Sequence, residues 1–435
     1  MAKSKDFDSW KHLYAGRTAL MHSSAIRELM AVTSRPDVIA LSGGLPHTDP
    51  VGYDRVAHAA REIMRLEGPV AMNYGPSDGY RPLKCHVRQL MAEDGMEVDE
   101  DDVLFTAGAQ QALEFTAKIF VDPGDVVIVE APAYVGALQA FNAFAPKFVT
   151  VAMDDDGMDT DLLEKALDAN RGKVKFIYTV PNFNNPAGVT LSYERRLRLL
   201  ELAREHDVLV IEDNPYGRLR YEGEDVPNLR SMEPDIVYLG TFSKVFAPGL
   251  RVGWVTAPRP ILDKYMMAKQ AADLCSSSFA MHLLDRYFHE NAWSKNIEAL
   301  IDTYRVRRDT LLEALEEHFP EEARWTHPQG GFFVWATLPE WLNTSEMLPR
   351  ALEAKVAYVP GAGFYPDGSG TNSMRLNFSF PAPEEIREGV KRLGKVIKEQ
   401  MAVYRALFGP GTTDTTAGKK KAGGKKKAGK HPESK

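Results

Sequence analysis

The stretch LGTFSKVFAPGLRVGW, residues 239–254, puts a single lysine, Lys244, between a hydroxyl-rich turn and a Pro-Gly break, with apolar, strand-like residues on both sides. A charged amine is costly to bury without a partner. Lys244 therefore either points into water from a surface turn or has chemistry to perform. The runs that flank it, DIVYLGT (235–241) and GWVTAP (253–258), belong to a series with DVLFTAG (102–108), DVVIVEAP (125–132), VKFIYTVP (174–181) and DVLVIEDN (207–214). Each is short, almost continuously apolar and rich in β-branched residues, which reads as a strand. Helical stretches lie between several of them, such as QQALEFTAKIF (110–120) and SYERRLRLLELAREHD (192–207), the latter with Leu197, Leu200 and Ala203 at spacings of three. Apolar strands alternating with helices predict an α/β fold with a mostly parallel sheet covered on both faces.

Composition sets the outer bounds. The 435 residues are 44% hydrophobic and 26% charged, which suits a globular chain of two or three domains. With only Cys85 and Cys275, at no metal-ligand spacing, neither a disulfide framework nor a zinc site is expected, and a reducing, cytoplasmic setting fits. No run approaches the roughly 18 apolar residues of a membrane span, and the N-terminus lacks an apolar leader core. Residues 411–435 carry eight lysines against Asp414 and Glu433, a net +6; with −7 overall, the remaining chain is −13. A Gly/Ala/Lys tail without aromatic residues reads as disordered and solubilising, and no nucleic-acid partner is expected.

Beyond Tyr265 the pattern turns to long helices through about His318. The stretches GGFFVWATL (330–338), AYVPGAGF (357–364) and SMRLNFSF (373–380) then predict a smaller sheet, and residues 383–408 an amphipathic closing helix. The expected division is an N-terminal arm at 1–60 packing with the small domain, a large domain at 61–300, a small α+β domain at 301–410 and the tail at 411–435.

Ligands of open parallel sheets bind beyond the carboxyl ends of the strands. The residues that follow each run are GAQQ, AYVG, NFNNPAG, DNPY and FSK. Gly108 precedes a helix, so the amides of Gly108, Ala109 and Gln110 are free to approach an anion, although a tight strand-to-helix turn uses the same glycine. Asp213 ends an apolar strand, where a carboxylate wants a cation unless it merely caps a turn. An amine, an acid and an anion cradle are together what pyridoxal 5′-phosphate requires.

The motifs NNPAG (184–188), EDNPYG (212–217), TFSKVFAPGLRVGW (241–254) and MRLNFS (374–379) occur in the order and at the approximate spacings of the fold-type I pyridoxal-phosphate aminotransferases of class I/II, which the chain resembles from about Ala25 to Phe408. The resemblance implies a large domain with a mostly parallel, seven-stranded sheet and a smaller α+β domain. It implies that Lys244 forms the Schiff base, that Asp213 partners the pyridine nitrogen, and that Tyr216 and Asn185 hydrogen-bond the ring oxygen. Tyr134 matches the residue that stacks on the ring, with core packing as its alternative. Thr241, Ser243 and Arg251 match phosphate ligands. Arg375 matches the holder of the substrate α-carboxylate, aided by Asn185; its alternative is a cross-domain salt bridge.

The segments at 23–46, 73–83 and 131–141 resemble the 2-aminoadipate aminotransferase group, which includes kynurenine, branched-chain and aromatic transaminases. In that group Gly43 and Gly44 match residues lying against the substrate. Tyr74 matches a tyrosine that reaches the phosphate of the neighbouring subunit, which implies a homodimer with shared sites, and Arg27 matches an arginine that meets an acidic substrate side chain. Turn packing and a surface pair with Glu28 are the respective alternatives. Amino transfer between an L-amino acid and a 2-oxo acid, 2-oxoglutarate with glutamate, is the expected reaction, with no metal. Elimination, hydroxylation or cyclisation on the same fold, or a regulator that retains the fold, are the other readings; the roughly 25 residues ahead of the resemblance are too few for a helix-turn-helix module.

Overall fold

The computed structural model describes residue 8, residues 10–21 and residues 37–409, so Arg27 and the lysine-rich tail at 411–435 lie outside the described residues. After a two-residue strand, β1 (Ile39–Ala40), eight strands build one sheet: β2 (Leu104–Thr106), β3 (Val126–Ala131), β4 (Lys147–Asp154), β5 (Gly157–Met158), β6 (Val174–Thr179), β7 (Leu209–Asp213), β8 (Val237–Thr241) and β9 (Gly253–Thr256). Their spatial order is β2-β9-β8-β7-β6-β3-β4-β5. Strands β4, β3, β6, β7 and β8 pair in parallel, while β9 is antiparallel to both β8 and β2. Strand β2 therefore points the same way as β8. Strand β5 is only the hairpin return of β4, so the sheet is the expected seven strands plus this short addition.

Alternation along each strand sorts the core into two layers. Val127, Val129, Phe176, Tyr178 and Ile211 join one hydrophobic cluster, while their neighbours Ile128, Ile177 and Val210 join another. Successive side chains of a strand point to opposite faces, so a continuously apolar strand serves both layers. Helices Thr160–Ala169 and Tyr193–Glu205 cover one face through Leu163, Leu167, Leu199 and Leu200. Helix Ala109–Phe120 covers the other with Ala112, Leu113 and Phe115.

Two local expectations are corrected. Leu197 is 48% exposed, and the buried stripe of its helix runs through Leu199, Leu200, Leu202 and Ala203. A spacing of three drifts around a 3.6-residue turn, so the first member of such a series leaves the stripe. The stretch AYVPGAGF is also divided: β12 (Val356–Ala357) leaves to pair in parallel with β1, and β13 (Val359–Pro360) pairs with β14 (Ser373–Asn377). With β10 (Arg324–Trp325) and β11 (Phe333–Thr337), the latter two form an antiparallel sheet in the order β10-β11-β14-β13. Helices Ser294–His318 and Pro383–Phe408 pack along one another beside it.

Candidate active site

Because β2, β3, β6, β7 and β8 point the same way, their carboxyl ends share one edge, and the loops there enclose a cavity of about 380 Å³. Ala109 and Gln110 from helix Ala109–Phe120, Tyr134 after β3, Asn185 after β6, Asp213 at the end of β7 with Tyr216 beyond it, and Thr241, Ser243, Lys244 and Arg251 around β8 all line it. Leu113, Val180, Pro215 and Pro248 complete the wall. The residue types read one by one from the sequence are thus brought to one place by strand direction.

One end of the cavity suits an anion. Gly108 has φ +75°, a conformation that favours glycine, and a Cβ there would lie 2.5 Å from Arg251 Nη2, so its absence lets the guanidinium sit beside the helix start. Arg251 Nη2 donates to the Ala107 carbonyl at 3.0 Å, and the hydroxyls of Thr241 and Ser243 are 2.9 Å apart. The first amides of helix Ala109–Phe120 point to the same place, at the positive end of the helix dipole.

At the other end sits an uncompensated acid. Asp213 is buried; its Oδ2 accepts from the Tyr178 hydroxyl at 2.8 Å, and its Oδ1 has no hydrogen-bond partner among the described residues. Burial pushes its carboxyl up to about 6, with the Tyr178 hydrogen bond and the Lys244 charge opposing. Lys244 Nζ donates to the Gly44 carbonyl at 3.2 Å. Burial, then Arg375 and Arg251, pull that amine down to about 8.

Tyr216 is buried against the edges of Phe332 and Phe333, and burial raises its phenol pKa. The Asn185 amide reaches its hydroxyl at 3.4 Å, and the other face of the same amide accepts from Arg375 Nη1 at 2.9 Å. Arg375 Nη2 donates to the carbonyls of Ser42 and Gly43 at 3.0 and 2.9 Å, its Nε has no partner among the described residues, and the rings of Phe333 and Phe364 flank it. The alternative of a cross-domain salt bridge is not realised among the described residues. A buried guanidinium held only by neutral acceptors retains room for an anion. Gly44 joins the site through its carbonyl, and a Cβ there would come within 3.3 Å of Phe333 Cζ. Tyr74 does not line the cavity; it is 81% exposed on the single chain.

Pyridoxal phosphate fits these residues on three observations of the structure. They are the glycine cradle beside Arg251, the orphaned Oδ1 of Asp213, and an enclosed amine near neutral pKa on the same wall.

Sequence reading missed Tyr178 and Glu130, which support the site from beneath. Glu130 is fully enclosed: Thr179 donates to its Oε1 at 2.5 Å, and the Val180 amide and Asn184 Nδ2 donate to its Oε2 at 3.1 and 2.6 Å. It thereby anchors the loop that carries Asn185. Burial outweighs these hydrogen bonds and pushes Glu130 up to about 7. A glutamine can keep its oxygen at the Oε2 position and turn its amide toward the Thr179 hydroxyl, so Glu130→Gln should fold and remain active. The native state holds the Glu130 proton more tightly than an unfolded glutamate near about 4.3. The parent therefore loses this contribution to stability as pH rises from about 4 to about 7, and the variant has none of it to lose. Urea unfolding across that window should show the difference growing in favour of Glu130→Gln, whereas a gap that shrinks with pH would mean that the folded state requires the ionised carboxylate. Glu130→Leu leaves the Val180 and Asn184 donors unpaired, at about 1–3 kcal/mol each.

A sequence profile of the family described as aminotransferase class I and II matches residues 36–393. The aromatic-amino-acid aminotransferase 1 of Thermococcus litoralis is 43% identical over 88% of the chain and 93% of its own length. Among solved structures, kynurenine aminotransferase of Pyrococcus horikoshii, in complex with PMP and kynurenine, superposes with a TM-score of 0.86 at 40% identity, covering 91% of this chain and 99% of that one. The α-aminoadipate aminotransferase of Thermus thermophilus, complexed with N-(5′-phosphopyridoxyl)-L-leucine, superposes with a TM-score of 0.85 at 36% identity, covering 91% and 100%.

Proposed function

The chain belongs to the class I and II aminotransferases and is a pyridoxal-phosphate-dependent transaminase, and from that premise we propose that it moves the amino group of an L-amino acid of 2-aminoadipate, branched-chain or aromatic type to 2-oxoglutarate. Pyridoxal phosphate bound in the cavity supplies an aldehyde and a ring that accepts the electrons freed at the substrate Cα. The remaining work falls to side chains of this chain. Lys244 Nζ, with a pKa near 8, is available at neutral pH both as an amine nucleophile and as a carrier of the Cα proton. Asp213 Oδ1 presents the charge that keeps a proton on a ring nitrogen. Tyr216 and Asn185 offer hydrogen bonds to the ring oxygen, Tyr134 offers its ring face, and Gly108, Ala109, Gln110, Thr241, Ser243 and Arg251 hold the phosphate. Arg375, assisted by Asn185 and Gly44, orients the substrate α-carboxylate.

Arg375 carries this reading. Its buried guanidinium meets no described carboxylate, its Nε has no partner among the described residues, and its partner Asn185 lines the cavity, which supports its holding an anionic substrate group. The names of the relatives support a broad set of donors. Division into a large domain at 61–300 and a small one at 301–410, with the arm packing on the latter, is part of the proposal, and β1 pairing with β12 supports it. So are a cytoplasmic location, supported by two unpaired cysteines, and a homodimer whose sites are shared through Tyr74. Supporting the dimer, Tyr74 stands exposed beside the exposed apolar residues Val70 and Met72. No described helix is long and apolar enough to cross a membrane.

A panel of L-amino acids against 2-oxoglutarate and apolar 2-oxo acids tests the proposal. Amino exchange with 2-oxoglutarate supports it, and ammonia release without exchange would replace it by elimination. Arg27, outside the described residues, is proposed to read acidic side chains. Its loss removes a charge-assisted hydrogen bond of about 1.5–3 kcal/mol, so Arg27→Ala should lower kcat/KM for 2-oxoglutarate roughly ten- to a hundredfold. For 2-oxoisocaproate it should change little; an equal loss for both would refute this role.

A further inference from the structure

A second chemistry-bearing cluster lies outside the cavity. His86 comes from helix Arg81–Glu93, and Asp285 and His289 from helix Ser278–Glu290. Asp285 and His289 are four residues apart and so share a helix face one turn from each other. The ligating atoms of the three side chains all lie within 4.8 Å of one another.

We propose that His86, Asp285 and His289 form a divalent-metal site that ties these two helices together. His86 Nε2 and Asp285 Oδ1 are 3.2 Å apart. Two donors bound at about 2.0–2.2 Å to one ion sit roughly 3.0–3.5 Å apart, so this pair is already spaced as two ligands of one metal. The His86 ring is held edge-on against Phe288, with ring centres 5.6 Å apart, which limits its rotation. His289 is exposed, so it can turn inward without disturbing the core. Together the three donors span two elements of the fold.

The cluster opens on a cavity of about 730 Å³, which leaves room for water to complete the coordination. Two imidazoles and one carboxylate suit zinc, cobalt or nickel rather than magnesium or calcium. Of the other groups around that cavity, Glu97 adds negative charge and Arg88 opposes it. The Cys85 thiol instead meets Glu100 Oε1 at 3.2 Å and is not a member of the cluster. An ion bound here joins two helices that are far apart in sequence and stabilises the folded state by mass action.

Cobalt(II) and zinc titrations of the cofactor-loaded protein test the site, using absorption for cobalt and calorimetry for zinc, with His289→Gln and His86→Gln alongside. The parent should bind one ion per chain at least tenfold more tightly than either variant, and zinc should raise its Tm while leaving theirs unchanged. Turnover of His289→Gln should match the parent, because His289 does not line the cavity that holds Lys244. Equal binding by parent and variants would place the metal elsewhere, and no saturable binding below millimolar would leave His86 and Asp285 a simple polar contact; either result overturns the proposal.

Discussion

Replacing Lys244 by alanine should leave a folded protein whose turnover falls at least about a thousandfold. The fold should survive because, among the described residues, the Lys244 amine makes one hydrogen bond, to Gly44, and the strand that precedes it is held by backbone pairing with β9. Turnover should not survive. Among the described residues, Lys244 brings the only primary amine to the cavity wall, and burial with two neighbouring guanidiniums sets it near 8, where neutral and charged forms are both populated at physiological pH. Alanine supplies neither a nucleophile nor a proton carrier. The visible absorption that comes from covalent attachment of the cofactor should disappear with the amine. Loss of the lysine charge also removes the smaller of the two influences that hold the Asp213 carboxyl down, the Tyr178 hydrogen bond being the larger, so that carboxyl should rise further. Steady-state rates and an absorption spectrum decide the matter; normal turnover in Lys244→Ala would remove the lysine from the chemistry.

Asp213→Asn should show the second-largest effect, a loss of about a hundred- to a thousandfold in the chemical step, the scale of removing one preorganised electrostatic partner. Asparagine is close to isosteric and can still accept from Tyr178, so the fold has no reason to fail. What disappears is negative charge at Oδ1, the atom left without a partner among the described residues. The loss should therefore fall on kcat, with KM changing little. Single-turnover reaction with an amino acid isolates that step. Parity with the parent there would make Asp213 a turn residue.

Most of the architecture was legible because buried parallel strands are written as continuous apolar runs. Strand β4 escaped for the same reason: it is largely exposed at the side of the sheet, with Thr150 and Asp154 among its apolar residues, so no continuous run announces it. The cavity wall was legible because each strand end is followed by its polar residues in sequence. Tyr178 and Glu130 were not, because their partners come from sheet order rather than chain order. Strand β6 lies between β3 and β7, which brings Tyr178 beside Asp213 and Thr179 beside Glu130. Nothing in the run VKFIYTVP distinguishes a tyrosine that supports an acid from one that only fills the core. Tyr74, proposed to act across a subunit boundary, illustrates a different limit, since the partner of such a side chain lies on another chain.

The most direct test of amino transfer is a single half-reaction. Cofactor-loaded protein, with no oxo acid present, is mixed with excess L-glutamate or L-2-aminoadipate, and the released 2-oxo acid and ammonia are counted per chain. Transamination predicts one equivalent of 2-oxo acid, no ammonia, and a second turnover only after 2-oxoglutarate or another oxo acid is added. Ammonia released in step with the oxo acid, or turnover that continues without any acceptor, would contradict it.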